Sequence, residues 1–242
     1  MNLEGKTIVV TGGTSGIGKK IVEKLSGKSQ VIVIGRDPKK LESIKGDYNV
    51  DTFQADLSNL QDVISACDSI VRKYDEIDVL INNAGIQYTP QFLEDDFQVE
   101  TVEKEVHTNF TSICYLIYCL MPSLTKKSQS TILNINSGLG LAPKTSSAVY
   151  CATKAALNSF SISLRYQLEE TNISVLQAFL PLVDTKMTHG RGKGKITADE
   201  AANSIIVGLA KGKESNYIGK VKILAFLLRV IPSVARNIMK RW

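Results

Sequence analysis

A run of eight residues, Thr11–Gly18 (TGGTSGIG), constrains this chain more than any other stretch. It follows a short β-branched apolar run, Lys6–Val10 (KTIVV), and leads into Ile17, Ile21, Val22 and Leu25 at helical spacing. That order predicts a strand, a tight glycine turn and a helix. Gly12, Gly16 and Gly18 stand in a GxxxGxG spacing, not GxGxxG. Glycines here permit close backbone approach, and the helix N-terminus favours an anion. Taken alone, the loop is either a tight strand-to-helix turn or a cradle for a pyrophosphate.

The same alternation continues along the chain. Short apolar runs at Val31–Ile34, Thr52–Ala55, Val79–Ile81, Thr131–Ile135 and Ile173–Ala178 predict further strands. Between them lie helical patterns: one opening at Asp37-Pro38, one N-capped by Ser58, and longer ones over Val102–Met121 and Val149–Leu168. Thr197-x-x-Glu200 reads as a capping box ahead of a further helix. Continuous apolar strands need cover on both faces. The expectation is a three-layer α/β/α, Rossmann-type doubly wound parallel sheet, built as one domain over residues 1–242.

Charge is unevenly distributed. Residues 1–185 hold 17 basic and 21 acidic residues, net −4; residues 186–242 hold 12 basic and 3 acidic, net +9. A nucleic-acid binder needs a basic surface on its main body, so no nucleic-acid partner is expected. Cys67, Cys114, Cys119 and Cys151 form no CxxC pair and no zinc-type cluster, which predicts no metal and four buried thiols in a reducing compartment. The N-terminus has no charged-then-apolar leader, and the apolar run Ile223–Leu228 is far too short to span a bilayer. A cytoplasmic protein is expected.

Several residues fall where strands should end. Arg36 and Asp37 follow the second strand. An acidic residue there would accept from an adenosine ribose hydroxyl and favour NAD(H); an Arg would pair with a 2′-phosphate and favour NADP(H). Arg36 immediately follows Gly35, so NADP(H) is preferred and NAD(H) remains possible. Ser15 can add a hydroxyl contact. Asp56-Leu57 after the third strand places a carboxylate for an adenine amino group. Asn82-Asn83-Ala84-Gly85 after the fourth supplies amides that fix backbone and a glycine that leaves room for a cofactor.

Tyr150 and Lys154 are spaced i, i+4 and share one helix face. Ser137 follows the fifth strand, and Asn109 lies on the preceding helix. Carbonyl reduction needs a hydride and a proton to the oxygen. A Tyr phenol, ordinarily near pKa about 10, would be lowered by a cationic Lys154 and a positive nicotinamide. Ser137 can hold the carbonyl oxygen near Tyr150, and Asn109 can hold a water in a relay from Lys154.

With these residues in this order, the chain resembles the short-chain dehydrogenase/reductase family in its single-domain form. The matches are TGGTSGIG at 11–18, NNAG at 82–85, Asn109, Ser137 and YCATK at 150–154. The resemblance implies a seven-stranded sheet and a homodimer or homotetramer joined through two long helices. It implies Tyr150 as catalytic acid/base, Lys154 also on the nicotinamide ribose, Ser137 orienting substrate and Asn109 completing a tetrad. The cofactor contacts assigned on this basis are Thr11, Gly12, Ser15, Gly16, Ile17, Gly18, Arg36, Asp56, Leu57, Asn83, Ala84, Gly85, Tyr150, Lys154, Val183 and Thr185. The expected reaction is carbonyl–alcohol interconversion on a small-molecule substrate. A non-redox reaction on the same scaffold, or nucleotide sensing without turnover, are the rivals.

The chain departs from the family after the sixth strand. Leu180-Pro181 replaces the usual Pro-Gly, which stiffens that loop and is similar to a bacterial subgroup labelled DltE-type oxidoreductases. The following lid, KMTHGRGKGK, is short, basic and expected to be mobile. It suggests an open site or an anionic substrate, unless it is simply solvated. A short seventh strand is expected near Asn216–Ile218. Lys222–Ile231 and Ser233–Trp242 then read as two helices separated by Pro232. They make residues 220–242 a basic amphipathic segment, suited to packing on the body or a partner subunit, or to peripheral contact with anionic lipid.

Overall fold

The computed structural model describes residues 1–241. Trp242, the last residue of the expected final helix, lies outside the described residues. The first strand, β1 (Thr7–Thr11), pairs with β2 (Gln30–Gly35) on one side and β4 (Val79–Asn82) on the other. β3 (Val50–Gln54) extends the β2 edge. β5 (Ser130–Ser137) and β6 (Ile173–Leu180) extend the β4 edge. A two-stranded ribbon, β7 (Val183–Asp184) with β8 (Ile196–Thr197), stands apart, and β9 (Ser215–Tyr217) closes the main sheet. The result is a seven-stranded, all-parallel sheet of order β3-β2-β1-β4-β5-β6-β9. Its order reverses between β1 and β4, where the C-terminal strand ends open a crevice.

The apolar strands bury both faces because alternate residues serve different layers. Val31 and Val33 of β2 join one core with α1 (Gly16–Leu25), α2 (Pro38–Asp47) and α7 (Ala198–Ala210). Ile32 and Ile34 join the other with α3 (Leu60–Lys73), α5 (Ser112–Thr125) and α6 (Ala148–Gln167). Each fully buried Val, Leu or Ile contributes about 1.5–3 kcal/mol. At the opposite end of the sheet, Asp78 is buried. It accepts from the Thr7 N–H at 2.9 Å and pairs with Lys6 at 2.9 Å.

Some elements differ from expectation. Asn59, not Ser58, caps α3: its side chain accepts from the Gln61 N–H at 3.0 Å, while Ser58 turns back to Asp56. The stretch expected as one helix over Val102–Met121 is α4 (Glu100–Val106), a π-helical turn His107–Thr111, and α5. Such an inserted turn loosens the regular hydrogen-bond ladder. Two of the four cysteines, Cys114 and Cys119, are half-buried, because α5 turns that side outward; Cys67 and Cys151 are buried. No helix among the described residues is long and apolar enough to cross a membrane. The chain ends in α8 (Val221–Val230) and α9 (Pro232–Lys240), with Pro232 opening the second helix.

Candidate active site

The glycine loop joins β1 to α1 at the crevice. Gly12 has φ +66, and a Cβ there would lie 3.0 Å from Ala84 Cα. A Cβ on Gly18 would lie 2.2 Å from the Gly12 carbonyl oxygen, so only glycine lets the helix start this close to the strand. Thr11 Oγ1 accepts from the N–H groups of Asn83 and Ala84, both at 3.0 Å. Asn83 Nδ2 donates back to the Thr11 carbonyl at 2.9 Å. The loop and the end of β4 are therefore one clasped unit. Ser15 precedes α1 with its hydroxyl exposed and not engaged as a cap. With no acidic residue in the first turn, this cradle fits an anionic phosphate group.

Arg36 and Asp37 separate clearly. Asp37 caps α2, accepting from the Lys39 N–H at 3.0 Å and the Lys40 N–H at 3.3 Å. The Lys40 N–H leads the groups that hold its carboxyl below the usual range. The Arg36 side chain is 74% exposed, touching Asp56 Oδ2 at 3.4 Å. Asp56 Oδ1 accepts from the Ser58 N–H and hydroxyl. Burial pushes the Asp56 carboxyl up, but Ser58 and Arg36 together outweigh it and leave it lowered. Leu57 is buried beside it.

Across the crevice, Ser137, Tyr150, Lys154, Asn83, Gly85, Val183 and Thr185 line one cavity of about 510 Å³, together with Ile17. Thr185 also comes close to the glycine loop: its Cγ2 lies 3.4 Å from where a Gly16 Cβ would stand. The Ser137 hydroxyl accepts from the Leu139 N–H at 3.1 Å. Lys154 is only 4% exposed; its Nζ donates to the Ile135 carbonyl at 2.8 Å and lies 5.9 Å from the Tyr150 ring centroid. Burial lowers Lys154 to about 8. Burial raises Tyr150 to about 12, opposed first by the neighbouring Ser137. The expected lowering of Tyr150 is thus absent in the polypeptide alone, because desolvation outweighs the lowering by Ser137 and Arg191. Asn109 lies in the π-helical turn. Its Oδ1 accepts from the Ile86 N–H at 2.9 Å, and its Nδ2 donates to the Ile86 carbonyl at 2.8 Å.

Two features have no signal in the sequence, Glu105 and the cavity wall under the C-terminal helices, and a third, the lining by Lys144 and Arg191, falls in stretches the sequence does place around the pocket. Glu105 is 2% exposed, accepts from the Tyr88 N–H at 2.9 Å, and is raised by burial to about 7. Next to Lys104 it reads as an ordinary solvated helix residue, and no sequence signal marks it. Lys144 and Arg191 also line the cavity, from two separate loops. Finally, Val221, Leu224 and Leu227 of α8 and Met239 of α9 form part of the cavity wall. The lid expected to be mobile is tied at several points. Lys195 donates to the Thr188 carbonyl at 2.7 Å, Arg191 donates to Gln87 Oε1 at 3.2 Å, and β8 pairs with β7.

The short chain dehydrogenase family model matches residues 6–195. The uncharacterised oxidoreductase DltE of Bacillus subtilis (strain 168) is 32% identical over 222 residues, covering 88% of each chain. The chain belongs to the short-chain dehydrogenase/reductase family. By that membership it is an oxidoreductase of CH–OH groups. Two solved members share the fold. A short chain dehydrogenase of Burkholderia cenocepacia J2315, in complex with NADP, has a TM-score of 0.89 at 24% identity, covering 99% of each chain. A short-chain dehydrogenase/reductase of Burkholderia phymatum, in complex with NAD, has a TM-score of 0.82 at 17% identity, over 95% of this chain and 96% of the other.

Proposed function

We propose that this short-chain dehydrogenase/reductase interconverts a carbonyl and a secondary alcohol with NADP(H), using Tyr150 as the acid/base. The convergence of Ser137, Tyr150 and Lys154 on one cavity that also reaches the glycine loop carries this reading. The nicotinamide, when bound, supplies or accepts the hydride. Tyr150, held protonated by burial at neutral pH, donates its phenolic proton to the carbonyl oxygen. The Ser137 hydroxyl holds that oxygen beside the phenol. Lys154, protonated below about 8, favours the phenolate left behind. Thr11, Gly12, Ser15, Gly16, Ile17 and Gly18 would cradle the phosphates, and Thr185 and Val183 would face the nicotinamide.

Arg36 supports NADP(H) over NAD(H). Its guanidinium is exposed, with a long 3.4 Å contact to Asp56, whereas the Asp37 carboxylate that would select NAD(H) is committed to capping α2. Tyr150→Phe tests the acid/base role. Turnover of NADPH with a carbonyl panel should fall by about 10²–10⁴-fold, while NADPH affinity changes little. Retained turnover would refute the assignment.

The chain's surroundings follow the same logic. Tyr118 and Tyr166 stand exposed on α5 and α6, which supports a homo-oligomer through those helices; a monomeric mass by light scattering would refute it. Ile223, Phe226, Val230, Val234 and Ile238 are exposed on α8 and α9, interspersed with Lys222, Arg229, Arg236 and Lys240. That pattern supports peripheral contact with anionic lipid. Full-length protein should float with anionic vesicles at low salt, and Phe226→Ser with Val230→Ser should release it. Equal flotation of both proteins would sink the idea.

A further inference from the structure

The active-site cavity does not end at Tyr150. It runs under α8 and α9, where Leu224, Leu227 and Met239 give it an apolar wall. Ile223 and Ile238 border the cavity and are also solvent-exposed, so they form its rim. Near Tyr150 the wall changes character. Lys144, on the loop between β5 and α6, and Arg191, on the lid, both face the cavity.

These two cations lack counterions. Neither forms an ion pair among the described residues. Arg191 donates to the neutral amide of Gln87. Lys144 is half-buried, and its pKa is lowered first by that burial and then by the charge of Arg191. The charge of Arg191 also reaches Tyr150. Two like charges held close in a partly desolvated wall repel one another, and an anion between them removes that repulsion. The pyrophosphate cradle lies at the start of α1, on a separate element, so it does not fill this role.

We propose that the substrate is an amphiphilic carbonyl compound, with an anionic head held between Lys144 and Arg191 and an aliphatic tail lying under α8 and α9. This rests on the reading of Tyr150 as the reacting centre. The carbonyl then sits close to the acidic head, and the tail leaves toward the Ile223–Ile238 rim. Hydride addition to the carbonyl carbon and proton transfer from Tyr150 leave head and tail unchanged.

The test uses the full-length protein with NADPH. Three substrates are compared by kcat/KM: 3-oxodecanoate, its methyl ester, and 3-oxobutanoate. The acid should exceed the ester by about 10-fold or more, the usual worth of a hydrogen bond to a charged group. It should exceed the short acid by about 100-fold, because buried methylenes add affinity. Lys144→Gln with Arg191→Gln should erase the acid–ester difference and keep the chain-length difference. Acid and ester of equal kcat/KM in the wild-type protein would remove the head-group site, and long and short acids of equal kcat/KM would remove the tail site.

A calorimetric series with decanoate, decyl phosphate, 1-decanol and butyrate reads the same site without turnover. Decanoate or decyl phosphate should bind tighter than 1-decanol, and the tighter of the two names the head as carboxylate or phosphate. Decanol binding as tightly as both overturns the proposal whatever the turnover data show. If charge- and chain-dependent binding is present but no carbonyl is reduced, the redox reading fails and this binding site stands.

Discussion

Asn109 clasps the backbone of Ile86 on both sides: its Oδ1 takes the N–H at 2.9 Å and its Nδ2 gives to the carbonyl at 2.8 Å. The π-helical turn around His107–Thr111 carries Asn109, and Ile86 directly follows the NNAG stretch. One amide thus joins the helix behind the cavity to the loop that lines it.

Asn109→Ala should leave both backbone groups of Ile86 without their partner. A cost of about 2–4 kcal/mol is expected from two under-satisfied groups, read as a lower urea midpoint. Turnover should fall by about 100-fold as the Gly85 wall shifts relative to Tyr150. An unchanged midpoint would show that the clasp contributes nothing to the fold.

Arg36→Ala tests cofactor choice. Losing a charge-assisted contact to a 2′-phosphate should weaken NADPH by about 10–100-fold and leave NADH nearly unchanged. Fluorescence titration with each cofactor measures this directly. Equal weakening of both would move the ribose contact away from Arg36.

Glu105 predicts a pH dependence of stability. Its folded-state value is about 7, raised by burial from an ordinary carboxyl value of 4.5. The folded protein therefore holds a proton that the unfolded chain releases. The stabilisation is complete below about pH 4.5 and is lost as pH rises through about 7, a difference of up to about 3 kcal/mol. Glu105→Gln keeps an acceptor for the Tyr88 N–H and removes the titration. Wild type and variant should unfold alike at pH 4.5, with the variant the more stable at pH 8. A constant gap across that range would contradict the burial argument.

Much of the fold was legible because its signals are local. Apolar runs such as Val31–Ile34 are short and continuous, and a parallel sheet needs that to bury both faces. The Thr197–Glu200 capping box appears as expected, with Glu200 Oε2 accepting from the Thr197 N–H at 2.7 Å. The shift of the α3 cap from Ser58 to Asn59 was not legible, because either side chain can cap and only the path after β3 chooses between them.

By itself the sequence determined the order of strands and helices, the glycine loop and the common helix face of Tyr150 and Lys154. Each depends on spacing along a few turns of chain. Only the tertiary structure decided which groups are buried and which come together around one cavity. Glu105 is an ordinary glutamate until α4 buries it, and Lys144 and Arg191 are ordinary surface cations until two loops bring them to one wall. The C-terminal helices likewise become part of the site only by packing over it. Burial and long-range proximity set the charge state of such groups, and neither is encoded in local spacing.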